Sequence, residues 1–262
     1  MSGGSRVVLL GHGITYSASP AMHSAAFASL GLDWSYELCD VAAERLPSAV
    51  AALRRPGYAG ANVTIPHKVA VIPLLDGLDA GAAATGAVNT IRKDGDRLLG
   101  ANTDVAGIEA ALRQVGPAAG SARAVVLGAG GSARAAAIAL ADSRLTFVAR
   151  RPETAAGLPG EVLAWENREW RTLAREADLL LNATPLGRWG ELPLPAAELP
   201  GRGAVIDLVY TVEGTPLVRA ARERGIPCAD GWTVLLAQGA AAFEAWTGRP
   251  APLAAMRAAL PA

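Results

Sequence analysis

Gly128-Ala129-Gly130-Gly131-Ser132-Ala133 is the stretch whose residue types and spacing point most directly to chemistry. It follows the apolar run Ala124–Leu127 and opens a helix-favouring segment that reaches Leu140, after which a second apolar run covers Leu145–Val148. Strand, glycine turn, helix and strand in that order form the first βαβ unit of a dinucleotide-binding domain. Gly128 permits the sharp turn, and Gly130 carries no Cβ, so backbone can approach a pyrophosphate. Ala133 is small enough for the helix to lie on the strand. The N–H groups and positive dipole end of that helix, with Ala129, Gly131 and Ser132 around them, then face the phosphates. Arg150 stands where an NAD-binding unit carries the acidic residue for the ribose 2′-hydroxyl, about twenty positions after the turn. A carboxylate there would repel a 2′-phosphate, whereas guanidinium groups pair with it through two hydrogen bonds. Arg150 and Arg151 therefore select NADP(H) as the cofactor.

A second group of candidates is polar and scattered. Ser17 and Ser19 bring two hydroxyls to the start of a helix, a place suited to a carboxylate; equally, Ser19 before Pro20 reads as the N-cap of that helix and Ser17 as loop. Asn62-Val63-Thr64-Ile65-Pro66-His67-Lys68 crowds polar groups around the end of a strand. Of the 24 basic residues only Lys68 and Lys93 are lysines, the rest being arginines. Lys93 precedes a turn and reads as a surface residue.

These groups need a scaffold, and the chain is long enough for two domains. Half of its 262 residues are hydrophobic and its net charge is zero, without a basic block. That speaks against a nucleic-acid surface. No apolar run is long enough for a membrane span or signal; Val7–Leu10 is far too short, after a loose start at Met1–Ser5. Cys39 and Cys228 lack metal spacing and read as reduced, buried thiols of a cytoplasmic protein, and no metal site is expected. Strands are expected over Arg6–Leu10, Trp34–Val41, Gly60–Val63, Gly86–Ile91, Arg97–Ala101, Asp178–Asn182 and Ala204–Leu208. Helices are expected from Ser19 to Leu30, Glu44 to Arg54, after Lys68 to about Leu75, Asp79 to Thr85, Val105 to Gln114, Pro216 to Arg224, and, after Asp230–Thr233, through Gln238 to about Thr247. Alternation of this kind means an α/β protein with mostly parallel sheets, whose ligands sit beyond the carboxyl ends of the strands.

Ser-x-Ser-Pro, Asn-Val-Thr-x-Pro-x-Lys, Ala-Val-Asn-Thr, Asn-Thr-Asp, Gly-Ala-Gly-Gly, Asn-Ala-Thr-Pro and Ala-Gln occur here in the order seen in the shikimate dehydrogenase family. The chain resembles that family from Val7 to about Trp246. The resemblance implies an N-terminal α/β catalytic domain (1–103, rejoined by helices within 232–262), a Rossmann-type NADP-binding domain (104–231), and a substrate cleft between them. It implies that Ser17 and Ser19 hold the substrate carboxylate, and that Thr64, Asn89, Asp104 and Gln238 contact ring hydroxyls. Lys68 is implied as catalytic, with Asp104 beside it, and Tyr210 as a further substrate contact. Thr184 and Gly231 join the cofactor side. The implied activity interconverts 3-dehydroshikimate and shikimate, in aromatic amino acid and chorismate biosynthesis. The implied partners are small molecules alone, in a cytoplasmic monomer or homodimer.

The chemistry agrees with that assignment. Reducing a ring ketone needs a hydride and a proton for the developing alkoxide, and a lysine held by a carboxylate can supply the proton. Arginine cannot give up its proton, and this chain otherwise uses arginine almost wherever positive charge suffices. The chain departs from the family pattern at Gly13, Tyr16, Ala149 and Val212. These departures leave quinate and aminoshikimate open as substrates, and a non-catalytic NADP sensor as the reading of a different class.

Overall fold

The computed structural model describes residues 4–116 and 122–261; the start of the loose segment Met1–Ser5 falls outside them. The chain divides into two compact units, residues 1–104 with 235–262 and residues 105–234.

The first unit is built on β1 (Ser5–Gly11), α1 (Ser19–Ser29), β2 (Trp34–Asp40), α2 (Leu46–Ala52), β3 (Tyr58–Val63), β4 (Gly77–Leu78), α3 (Ala80–Thr85), β5 (Thr90–Asp94) and β6 (Arg97–Ala101). Its sheet runs in the order β2-β1-β3-β5-β6-β4. β1 pairs in parallel with β2 and β3, while β3–β5 and β5–β6 are antiparallel. That topology gathers the ends of β1, β3 and β6 and the start of β5 along one edge. One face of the sheet packs on Val41, Leu46, Val50, Leu53, Val71 and Val88. Elsewhere in the unit His23 stacks on Phe27 and Tyr36, Phe27 stacks on Phe243, and Trp246 packs against His23 with its ring tilted.

The second unit begins with α4 (Asp104–Val115) and continues through β7 (Arg123–Leu127), α5 (Gly131–Ala139), β8 (Arg144–Ala149), β9 (Glu161–Ala164), α6 (Glu169–Glu176), β10 (Leu179–Asn182), β11 (Ala204–Asp207), α7 (Pro216–Glu223) and β12 (Cys228–Ala229). Its sheet order is β12-β11-β10-β7-β8-β9, parallel throughout. The chain winds outward from β7 through β8 and β9, then returns to β10 on the other side of β7. A crevice opens at that reversal. Alternate residues of these strands point to opposite faces, and both faces are buried. Ala124, Val126, Phe147, Leu181 and Ile206 pack on one side, Val125, Leu127, Val148, Leu180 and Val205 on the other. The last helices are α8 (Gly231–Thr247), which spans the boundary of the two units, and α9 (Leu253–Ala258).

Several expected elements are corrected. Ser19 is not the N-cap of α1: Ala18 holds that position, no side chain caps the helix, and Pro20 sits within its first turn. Instead the Ser17 hydroxyl accepts the Ser19 N–H at 3.3 Å. The helix expected over Glu44–Arg54 is a 3₁₀ turn at Ala43–Arg45 followed by α2, with Pro47 in its first turn. No α-helix follows Lys68. The segment is turns and a 3₁₀ turn at Ile72–Leu74, because Pro73 cannot donate the bonds that would extend it. The strand expected from Gly86 starts at Thr90, since Gly86 closes α3 in the left-handed conformation. The two cysteines are free but only half-buried. Lys93 is a brace rather than a surface lysine: its ammonium donates to the carbonyls of Arg54 and Arg55, just beyond α2. β4, β9, α6, β12 and α9 are additions the sequence pattern did not announce.

Candidate active site

Along the common edge of the first sheet, each connection delivers polar side chains. The loop after β1 carries Ser17 and leads to Ser19, the first residue of α1; the loop after β3 carries Thr64 and Lys68. Main-chain bonds hold those two loops together, from Thr64 N–H to Leu10 and from His12 N–H to Ile65. His67 is buried, and its Nε2 donates to the Val41 carbonyl at 2.6 Å, fixing the turn that presents Lys68.

The Lys68 ammonium donates to Asp104 Oδ2 at 2.5 Å, and both side chains are nearly buried, 12% and 11% exposed. Asp104 is the first residue of α4, where the helix dipole favours a negative charge. Its other oxygen accepts from Asn89 Nδ2 at 2.8 Å. The Asn89 amide also reaches Thr103 Oγ1 at 3.0 Å and Gln238 Oε1 at 3.4 Å, and its oxygen accepts the Thr103 N–H and the Thr90 hydroxyl. The structure thus brings Lys68, Asp104, Asn89 and Gln238 into one bonded network, from segments as far apart as the loop after β3 and the middle of α8.

Sequence reasoning gave no role to the supports of this network. Asn62 Nδ2 donates to the Asn89 carbonyl and to Thr90 Oγ1, while its oxygen accepts the Tyr36 hydroxyl. Asn102 accepts the Asp104 N–H and donates to Thr85 and to the Ala87 carbonyl. Asn62 and Asn102 stood inside recognisable motifs, but a buried amide's partners lie in other strands.

In the second unit the candidates are held differently. Gly128 has φ +112°, and a Cβ on it would lie 3.1 Å from the Ala183 carbonyl oxygen. Only glycine turns the chain there. Gly130 is the N-cap of α5; it is exposed, no side chain caps the helix, and a Cβ at Gly130 would meet nothing within 4 Å. Ala133 is fully buried, with the helix packed on the sheet. An open space at a helix N-terminus, beside the reversal of strand order, fits a dinucleotide pyrophosphate.

Arg150 and Arg151 follow β8 and are exposed. Neither pairs with a carboxylate among the described residues. Arg134, on α5, donates to the Ala156 carbonyl at 3.1 Å and so braces the same loop. Thr184 donates its hydroxyl to Asn182 Oδ1 at 2.6 Å, in the loop beneath the glycine turn. Tyr210 packs against Trp232 with the rings tilted and their centroids 4.5 Å apart, and Arg188 lies over the Tyr210 ring at 5.4 Å. A Cβ on Gly231 would lie 2.5 Å from the Leu208 carbonyl oxygen, so only glycine starts α8 against that loop. Among the described residues no group of three or more His, Cys, Asp or Glu is placed to hold a metal ion, and no helix is long and apolar enough to cross a membrane.

Comparison with known proteins bears on both units. Residues 9–91 match the shikimate dehydrogenase substrate-binding domain, and residues 231–260 match the shikimate 5′-dehydrogenase C-terminal domain. A shikimate dehydrogenase (NADP(+)) of Moorella thermoacetica is 45% identical, covering 95% of this chain and 90% of its own. The crystal structure of shikimate 5-dehydrogenase from Thermus thermophilus, in complex with NADP(H) and shikimate, superposes with a TM-score of 0.83 at 39% identity, covering 97% of this chain and 98% of that one. Quinate dehydrogenase from Corynebacterium glutamicum in complex with NAD reaches 0.86 at 29% identity, covering 98% of each chain. A pattern of motifs in sequence order, a doubly wound second unit and relatives alike over almost their whole length agree: the chain belongs to the shikimate dehydrogenase family.

Proposed function

We infer that this protein catalyses the reversible, NADP-dependent reduction of 3-dehydroshikimate to shikimate, a step of aromatic amino acid biosynthesis. The observation that carries the reading is the Lys68–Asp104 pair, nearly buried at 2.5 Å and joined through Asn89 to Gln238.

Bound in the second unit, NADPH would supply the hydride for reduction of the ring ketone. Lys68 donates the proton that completes the alcohol and, until it does, stabilises the negative charge. Asp104 orients the ammonium and, with Thr64, Asn89 and Gln238, contacts ring hydroxyls. Ser17 and Ser19 hold the ring carboxylate, and Tyr210 adds a substrate contact. The backbone of Gly128–Ala133 holds the pyrophosphate, Arg150 and Arg151 the 2′-phosphate, and Thr184 and Gly231 complete the cofactor site. Residues 1–103 with 232–262 form the catalytic domain and residues 104–231 the cofactor domain, in a cytoplasmic monomer or homodimer.

Steady-state assays of shikimate, quinate and aminoshikimate, each with NADP and with NAD, test the reading. Turnover is expected to be fastest with shikimate and NADP. Faster quinate turnover with NAD would replace that assignment, and Gly13 together with the Corynebacterium likeness makes quinate the second reading. Binding of NADPH without turnover of any of the three would make the chain a sensor.

A further inference from the structure

Asp207, at the end of β11, is fully buried and has no part in the roles assigned above. Its carboxylate gathers donors from three separate segments. Oδ1 accepts from Asn182 Nδ2 at 2.9 Å, at the end of β10, and from the Val209 N–H at 3.0 Å. Oδ2 accepts the Thr215 hydroxyl at 2.6 Å, from the N-cap of α7.

Each contact leads to a loop at the carboxyl edge of the second sheet. Asn182 passes the constraint on: its oxygen accepts the Thr184 N–H and hydroxyl, and its amide also donates to the Leu186 carbonyl. The Thr184 loop in turn packs under the glycine turn, for a Cβ on Gly128 would lie 3.3 Å from Thr184 Cγ2. Val209 precedes Tyr210, and its carbonyl accepts the Gly231 N–H at 3.3 Å.

We infer that Asp207 is a positioning residue for the dinucleotide site, setting the Thr184 loop and the Val209–Tyr210 loop at the height the cofactor requires. The inference rests on the cofactor placement proposed above. A carboxylate is a poor choice for stability alone. Burial pushes its pKa up to about 6, against the pull of three neutral donors and of Arg188. A neutral side chain would suit the fold better. What a carboxylate adds is the capacity to accept from every side at once. An asparagine has one acceptor oxygen and presents N–H groups where the second stood.

The test is equilibrium binding of NADPH and NADH to the wild-type protein, Asp207→Asn and Thr215→Val, with KM for shikimate and thermal melts alongside. Asp207→Asn is expected to weaken both dinucleotides by the same factor, about tenfold, the equivalent of one hydrogen bond to a charged group. The NADPH-to-NADH ratio should hold, and KM for shikimate, linked to this loop through the Tyr210 contact alone, should rise by a smaller factor, about threefold. Thr215→Val removes one donor and should act in the same direction by a smaller factor; it decides the question if Asp207→Asn does not fold. Unchanged dinucleotide affinities in folded variants would overturn the inference. So would a loss confined to NADPH, or an equal rise in the shikimate KM. Wild-type protein that binds neither dinucleotide would instead overturn the cofactor reading itself.

Discussion

The two units solve the problem of holding a ligand with different parts of the chain. In the first, the candidate site is made of side chains. Lys68, Asn89, Asp104 and Gln238 come from four segments and meet only because antiparallel strands return their ends to one edge. In the second, the proposed phosphate site is made of backbone: a glycine turn and the uncapped start of α5, contiguous in sequence. A side-chain site can place a proton donor, because lysine carries a proton it can release. A backbone site places fixed dipoles that neither titrate nor change rotamer, which suits a group that must be held but not altered. In the proposed reading, the exposed arginines at the end of β8 add the selectivity that such a turn lacks.

Four experiments strain this contrast. The largest effect is expected from Lys68→Arg. If the first site works by proton transfer, kcat should fall by about 10²–10⁴. NADPH affinity should survive, as the cofactor residues belong to the other unit. Turnover near wild type, read by NADPH absorbance on folded protein, would reduce Lys68 to a point charge. Arg150→Ala comes next. Loss of a charge-assisted phosphate contact should weaken NADP roughly ten- to a hundredfold and leave NAD use nearly unchanged. Equal losses with both cofactors would mean that Arg150 is structural and does not read the 2′-phosphate.

Replacing both Ser17 and Ser19 by Ala should raise KM for shikimate by about tenfold while sparing KM for NADP, since hydroxyl bonds to a carboxylate are lost. Any accompanying loss in the melt belongs to Ser17, which accepts the Ser19 N–H; Ser19 caps nothing. An unchanged KM would remove the carboxylate from this loop.

The smallest effect concerns pH. Asp207 has its pKa raised in the fold from 3.8 to about 6. Its protonated form is therefore favoured by folding, a contribution complete below pH 3.8 and lost as pH rises through 6. Between about pH 5 and pH 8 that amounts to roughly 1–2 kcal/mol. Urea unfolding of wild type and Asp207→Asn should show the variant gaining stability relative to wild type by about that much over this range. A constant difference would show that Asp207 titrates alike in folded and unfolded chains.

Legibility followed the same divide. The βαβ unit, its glycines and the arginines after β8 were readable because their partners lie a turn or a strand away, where spacing is geometry. Lys68 and Asp104 were nameable only through ordered motifs resembling a family, with lysine scarcity as the one independent sign. Asn62, His67 and Asn102 stood inside motifs without a role to be read for them, and Asp207 escaped altogether. Local rules failed where a local signal was ambiguous: Ser19-Pro20 matches an N-cap, yet Ala18 takes the position, and Pro73 blocks the helix expected after Lys68.

By itself the sequence determined the α/β class and the dinucleotide turn with the strand–helix–strand unit around it, because periodicity and glycine stereochemistry act over a few residues. Tertiary structure decided which polar groups become partners. A buried amide or carboxylate takes whatever donor the neighbouring strand presents, and strand adjacency is a property of the folded sheet. Thus Asn89 reaches Gln238, and Asp207 reaches Thr215 and Asn182, by routes that no local pattern in the chain encodes.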